Sequence, residues 1–174
     1  MKRVFDFMTA GLLSVILSIP MLIIALAIKL TSKGTVLYWS DRVGANNKIF
    51  KMPKFRTMRP GTPFIATHLL KNPGDYVTPL GRFLRRSSLD ELPQLFSILR
   101  QDMTFVGPRP AASNQHDLIE LRTKKNVHGL TPGVTGWAQV NGRDNLPISV
   151  KVEFDEYYLK HRSFSFDFKI LCMT

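Results

Sequence analysis

Asp90 and Glu91 are adjacent carboxylates in the stretch RRSSLDELPQLF, set between a basic pair, Arg85 and Arg86, and an apolar run. Two further stretches are basic and stiff: FVGPRP at 105–110, with Arg109 between two prolines, and PGVTGWAQVNGR at 132–143, which ends in Arg143. Proline fixes the backbone around Arg109, and Gly133, Gly136 and Gly142 permit tight turns. Guanidinium forks and backbone donors together can then hold a phosphate. Two carboxylates inside such a site repel the ligand unless a divalent cation sits between them or one of them attacks phosphorus. Both roles belong to phosphoryl transfer. A helix N-terminus and neighbouring arginines are expected to favour the ionised carboxylate, the form that attacks phosphorus or ligates Mg²⁺.

The elements that must carry these residues follow from local pattern. Ser88-Leu89-Asp90-Glu91 fits a Ser-x-x-Glu capping box, so a helix is expected to start at Ser88. Pro93 is best tolerated in a first turn, which makes Asp90 the alternative cap. In either register both acids lie at the positive end of a helix. There they contribute about 0.3–1 kcal/mol, and capping alone remains a second explanation for them. Apolar residues Leu80, Phe83, Leu84 and then Leu92, Leu95, Phe96, Leu99 recur at helical spacing, with a break at Ser87-Ser88. TVLYWSDRVG and KIFKMPKFRTM alternate across Asn46-Asn47 as a hairpin would. Arg59 to Pro79 reads as a Pro/Gly/Thr-rich loop without helical period, a lid or a connector. Asp117 to Lys125 and Val150 to Leu171 read as helical.

Phe7 to Ile28 carries no charge, and a helix that long covers about 30 Å of hydrocarbon. The apolar part is too long for a cleaved signal peptide. Lys2 and Arg3 flank it on one side and Lys29 and Lys33 on the other, so both ends carry the charge of cytoplasmic flanks. Pro20 removes a backbone donor near the middle, and Ser18 can satisfy a freed carbonyl. A re-entrant helix kinked at Ser18 to Pro20 is the favoured reading, a kinked single span the other. The expected boundaries are an anchor over 1–33 and a cytoplasmic domain over 34–174.

Composition bounds the partners. The chain has 174 residues, 44% of them hydrophobic, a mean hydropathy of −0.03 and a formal charge of +11. That allows one core and requires an anionic partner: nucleic acid, a membrane surface or a phosphorylated molecule. Beyond residue 33 the balance is 20 Lys/Arg against 12 Asp/Glu. Phosphate binding accounts for this charge without nucleic acid. Cys172 stands alone, which excludes an internal disulfide, and four scattered histidines lack the spacing of a zinc site.

The interrupted N-terminal apolar stretch, KIFKMPKFRTM, RRSSLDELPQLFSILRQDMTFVGPRP and PGVTGWAQVNGR, taken in order, resemble the bacterial sugar transferases, specifically the small monotopic polyprenyl-phosphate phosphoglycosyl transferases. The resemblance implies a mostly helical α+β protein: a re-entrant membrane helix, then a small cytoplasmic catalytic domain with a short β-hairpin and amphipathic interfacial helices. It implies transfer of a sugar 1-phosphate from a UDP-sugar to undecaprenyl (polyprenyl) phosphate, with release of UMP, at the cytoplasmic face of the bacterial inner membrane. Asp90 is implied as nucleophile through an aspartyl-phosphosugar intermediate, with Glu91 assisting and Mg²⁺ as cofactor on Asp90 and Glu91. Lys54, Arg56, Arg85, Arg109, Gln139 and Arg143 are implied to bind substrate. Membrane lipids are implied partners; the sugar, the glycan pathway and the oligomeric state are not implied. Ser18-Ile19-Pro20 departs from the family's Ser-Pro step, and family members commonly continue past the position of Thr174. Two rivals remain: a membrane-anchored protein that binds nucleic acid or anionic lipid without chemistry, and a membrane scaffold in which the acids only cap a helix.

Overall fold

In the computed structural model, which describes residues 2–62, 73–142 and 146–174, the apolar stretch forms two helices. These are α1 (Lys2–Ile16) and α2 (Ser18–Thr31), bent by 60°. Pro20 falls in the first turn of α2, where its missing donor removes no bond within that helix. The Ser18 hydroxyl donates to the Val15 carbonyl at 2.7 Å across the break. Among the described residues no single helix is long and apolar enough to cross a membrane, while the bent pair passes that test together.

The alternating pattern forms β1 (Leu37–Val43) and β2 (Ile49–Phe55), antiparallel with Leu37 opposite Phe55. The tip contains Asn46 and Asn47, both at positive φ, a conformation asparagine tolerates better than most residues. Within the stretch expected to be loop, Pro73–Tyr76 makes a one-turn helix, α3, ahead of α4 (Pro79–Arg86). Thr78 caps α4 by accepting from the Gly81 amide at 2.9 Å. A 3₁₀ turn (Leu89–Glu91) leads into α5 (Gln94–Leu99). Then follow β3 (Thr104–Val106), β4 (Ala111–Ala112), α6 (His116–Lys124), β5 (Gly133–Thr135), α7 (Trp137–Val140), α8 (Ile148–His161) and α9 (Phe164–Met173). The stretch read as helical over 150–171 falls in two helices, α8 and α9, separated at Arg162-Ser163, with the Ser163 hydroxyl accepting from the Phe166 amide at 3.2 Å. β4 extends the hairpin into a sheet of order β2-β1-β4, and β3 pairs in parallel with β5.

Both halves of the bent pair pack against the elements that carry the acids. Ala10 of α1 joins Met52, Leu95, Ile98 and Met103 in one cluster, with Leu13 and Leu17 against it. Ile28 of α2 joins Phe55 and Leu84, with Leu89 and Leu92 alongside. Polar ties add to this. Asp6 is buried and accepts from the Thr104 hydroxyl, and Lys2 donates to the Val106 carbonyl at 3.1 Å and pairs with Asp167 of α9. The opposite faces of α1 and α2 are apolar and open, with Met8, Leu12, Val15, Ile19, Leu22 and Leu30 all more than half exposed.

Candidate active site

The chain turns sharply ahead of the two carboxylates. Ser88 sits in the left-handed region at φ 57°, and its side chain makes no capping bond. The expected capping box is therefore absent, and the N-cap position of α5 is held by Pro93, which makes no side-chain cap bond. The physical reason is length: Leu89–Glu91 closes 3₁₀ bonds, Glu91 amide to Ser88 carbonyl at 3.1 Å and Leu92 to Leu89 at 3.4 Å, so the α-helix starts only past Pro93.

In a strand side chains alternate, so Tyr38, Ser40 and Arg42 of β1 share a face with their partners Lys54, Met52 and Phe50 of β2. Met52 of that face packs on α5, and Lys54 brings its ammonium to Glu91 Oε1 at 2.6 Å. Arg109 approaches from the loop between β3 and β4 and donates through Nη2 to the same Oε1 at 3.2 Å. Two cations on one largely buried oxygen outweigh the cost of its burial, and Glu91 is held below the ordinary glutamate range. Lys54 bears part of that cost: burial, together with Arg109, lowers its own pKa despite the pull of Glu91.

Asp90 behaves in the opposite way. It is 8% exposed, and among the described residues no cation lies within ion-pair distance of it. Burial pushes its carboxyl above the ordinary aspartate value; Lys54 and Arg85 pull against this and Glu91 adds to it. The expectation that arginines and a helix end would favour ionisation of both acids thus holds for Glu91 and fails for Asp90. Desolvation is the larger effect there, and no α-helix begins at that point. Adjacent carboxylates whose environments push them apart are a common arrangement for dividing two roles between chemically similar groups.

The remaining candidates lie at different distances from this pair. Arg85, on α4, donates through Nε to the Thr57 hydroxyl at 2.8 Å while its charge acts on Asp90. Arg56 points elsewhere: its guanidinium donates to the carbonyls of Lys33 at 2.7 Å and Ser32 at 3.0 Å, closing the C-terminal end of α2. Gln139, on α7, donates to the Val134 carbonyl at 2.8 Å, and no hydrogen bond among the described residues links it to the acids. Arg143 lies outside the described residues. Two residues that sequence reasoning passed over, Arg42 and Gln94, line a small cleft with Met52, Pro110 and the Glu91 partner Arg109. Arg42 reaches the Ser40 hydroxyl at 3.0 Å, and Gln94 is almost fully buried. The signals were present, a polar Gln94 inside an apolar helical run and an arginine in register with the Lys54 face.

The donor set bears on a metal. Mg²⁺ takes one or two protein carboxylates and completes its shell with substrate phosphates and water. Lys54 and Arg109 both engage Oε1 of Glu91, which leaves Oε2 and the Asp90 carboxylate for a further cation. Among the described residues no group of three His, Cys, Asp or Glu forms a cage by itself. The site therefore fits a metal that arrives with a diphosphate.

The sequence profile of the family described as Bacterial sugar transferase matches residues 1–174. An undecaprenyl-phosphate glucose phosphotransferase of Komagataeibacter xylinus is 39% identical over 188 residues, covering 99% of this chain and 35% of that protein. A UDP-glucose:undecaprenyl-phosphate glucose-1-phosphate transferase of Escherichia coli (strain K12) is 40% identical, covering 100% of this chain and 39% of that protein. EpsL of Bacillus subtilis (strain 168), an uncharacterized sugar transferase, is 37% identical, covering 100% of this chain and 85% of that protein. The chain thus spans little more than a third of the first two relatives and most of the third.

Proposed function

The chain belongs to the bacterial sugar transferase family, and from that membership and the contrast between Asp90 and Glu91 we propose that it moves a sugar 1-phosphate from a UDP-sugar to undecaprenyl (polyprenyl) phosphate, releasing UMP. The names of the K. xylinus and E. coli relatives support UDP-glucose as the first donor to test and undecaprenyl phosphate as acceptor.

The observation that carries the reading is a buried carboxylate with no ion pair among the described residues, next to one held by two cations. An oxygen of Asp90 attacks the sugar-bearing phosphorus. The bond from that phosphorus to the bridging oxygen breaks, and its electron pair leaves on UMP. An oxygen of the polyprenyl phosphate then attacks the same phosphorus, a new P–O–P link forms, and the Asp90 carboxylate departs unchanged. Lys54, Arg85 and Arg109 neutralise charge on the phosphates, and preorganised cations in a water-poor site are worth more than in water. Mg²⁺, when held by Asp90 and Glu91 with diphosphate oxygens, would supply further charge neutralisation.

The open apolar faces of α1 and α2 support membrane association, with 1–33 as a re-entrant anchor and 34–174 as a domain at the cytoplasmic face. A helix pair that dips into one leaflet holds the carboxylates at the height of a lipid phosphate.

The test is UMP release from a panel of UDP-sugars, UDP-glucose first, by the protein in detergent with polyprenyl phosphate and Mg²⁺. Asp90→Asn abolishes release, and mass spectrometry of material treated with donor alone finds the sugar phosphate on Asp90. Undiminished release by Asp90→Asn removes the nucleophile. Cysteines placed near each end of the bent pair and labelled with an impermeant reagent report the topology: labelling from opposite faces means a span.

A further inference from the structure

Behind the loop that carries Arg109 lies a buried ion pair from two helices. Arg122 of α6 is 8% exposed and Asp155 of α8 is 1% exposed. Nε and Nη2 of Arg122 donate to Oδ2 of Asp155 at 2.9 Å and 2.7 Å. Its remaining fork nitrogen, Nη1, donates at 2.8 Å to the backbone carbonyl of Arg109. A guanidinium is flat and its donors have fixed directions, so seating two of them on one carboxylate oxygen aims the third. Pro108 and Pro110 restrict the backbone on either side of the carbonyl that receives it.

We propose that Arg122 and Asp155 are positioning residues for the transfer reaction, holding the Arg109 carbonyl so that the Arg109 guanidinium meets Glu91. The inference rests on the functional reading above for its consequence, and on geometry for its cause. The relay runs from α8 through α6 to the loop and ends at the carboxylates: Asp155, Arg122, the Arg109 backbone, the Arg109 side chain, Glu91. Neither Arg122 nor Asp155 touches substrate in this account. A purely structural pair makes a different prediction, because apolar residues of similar volume commonly replace a buried ion pair at no cost in stability. Such a swap keeps the packing of α6 on α8 and removes the donor aimed at the loop.

The experiment uses the full chain in detergent and the variants Arg122→Met/Asp155→Leu, Arg122→Lys, Arg109→Lys and Arg122→Lys/Arg109→Lys. Arg122→Lys keeps the charge opposite Asp155 but has one nitrogen where three act, and it serves as the second probe should the apolar swap fail to fold. Two readouts are taken. Hydrogen exchange over residues 107–111 is expected to accelerate about tenfold or more in both Arg122 variants, as local opening becomes easier. UMP release is expected to fall about tenfold to a hundredfold, in kcat more than in KM for the donor, the size of effect a displaced catalytic group produces. In the Arg109→Lys background Arg122→Lys is expected to add less than about twofold, because both changes break one relay.

Unchanged exchange in the loop overturns the inference whatever happens to activity. Additive losses of kcat, or an apolar swap as active as the wild type, also overturn it. Wild-type protein that releases no UMP from any UDP-sugar defeats the functional reading instead, while the exchange result still decides whether the pair holds the loop.

Discussion

Lys54 and Lys51 stand three residues apart on β2, each paired with a carboxylate, and the fold predicts very different consequences for losing them. Lys54 meets Glu91 at 2.6 Å with side chains 17% and 19% exposed; Lys51 meets Asp41 at 3.3 Å with side chains 69% and 47% exposed. Removing one partner of a fully buried pair costs about 3–5 kcal/mol, because a charge is left in a poor solvent. Glu91 keeps Arg109 at 3.2 Å, and Lys54→Met also relieves the burial of the ammonium. The expected loss is therefore about 2 kcal/mol. At about 2–4 °C per kcal/mol for a chain of this size, the melting temperature falls by roughly 4–8 °C. Lys51→Met breaks an exposed pair worth about 0–1 kcal/mol and shifts it by a few degrees at most. Thermal unfolding of the protein in detergent, followed by tryptophan fluorescence, measures both. The double variant Lys54→Met/Glu91→Gln is the decisive control, since with no carboxylate to strand it costs less than the sum of the two single changes. Equal shifts for Lys54→Met and Lys51→Met, or additive costs in the double variant, refute the reasoning.

Asp90→Asn is expected to leave the melting temperature unchanged or raised while UMP release disappears. The folded-state pKa of Asp90 is raised, so its contribution to stability is present below the unfolded value and lost as pH rises through the folded one; the neutral amide escapes that loss at pH 7. A pH profile of kcat/KM checks the same shift through activity: the acid limb lies above 3.8, the ordinary aspartate value, and Lys54→Met moves it higher by withdrawing a cation that favours the anion. Gly133→Ala tests the strand contact behind the Arg109 loop. A Cβ there meets the Gly107 amide nitrogen at 2.1 Å and the Thr135 carbonyl oxygen at 2.4 Å, so a loss of about 1–3 kcal/mol in chemical denaturation is expected.

Local features were legible in the sequence because they are decided within a few residues. The break between α1 and α2, the hairpin of β1 and β2, and the interruption at Ser87-Ser88 follow from proline placement, alternation and helical spacing. What escaped was decided at long range. β4 pairs with β1 over two residues and β3 with β5 over a similarly short stretch, too brief for any periodic signal. Arg56 reads as the natural partner of Lys54 at a spacing of two, yet it lies just past the end of β2 and turns to the carbonyls of Ser32 and Lys33. The pairing of Arg122 with Asp155 joins helices 33 positions apart in sequence. Asp90 misled for another reason: charge and helix position can be read from neighbours in the chain, whereas burial depends on how β2, α4 and α5 close around it.

The tie from Lys2 to Asp167, across 165 positions of sequence, orders events during synthesis. A ribosome adding about 5–20 residues per second needs roughly ten to thirty seconds to get from one to the other. Throughout that interval Lys2 is without its eventual counter-ion, and Asp6 waits for Thr104 over the shorter span of 98 positions. The α1–α2 pair therefore waits with its polar end unsupported, and the later elements of the chain condense onto it only as they are made.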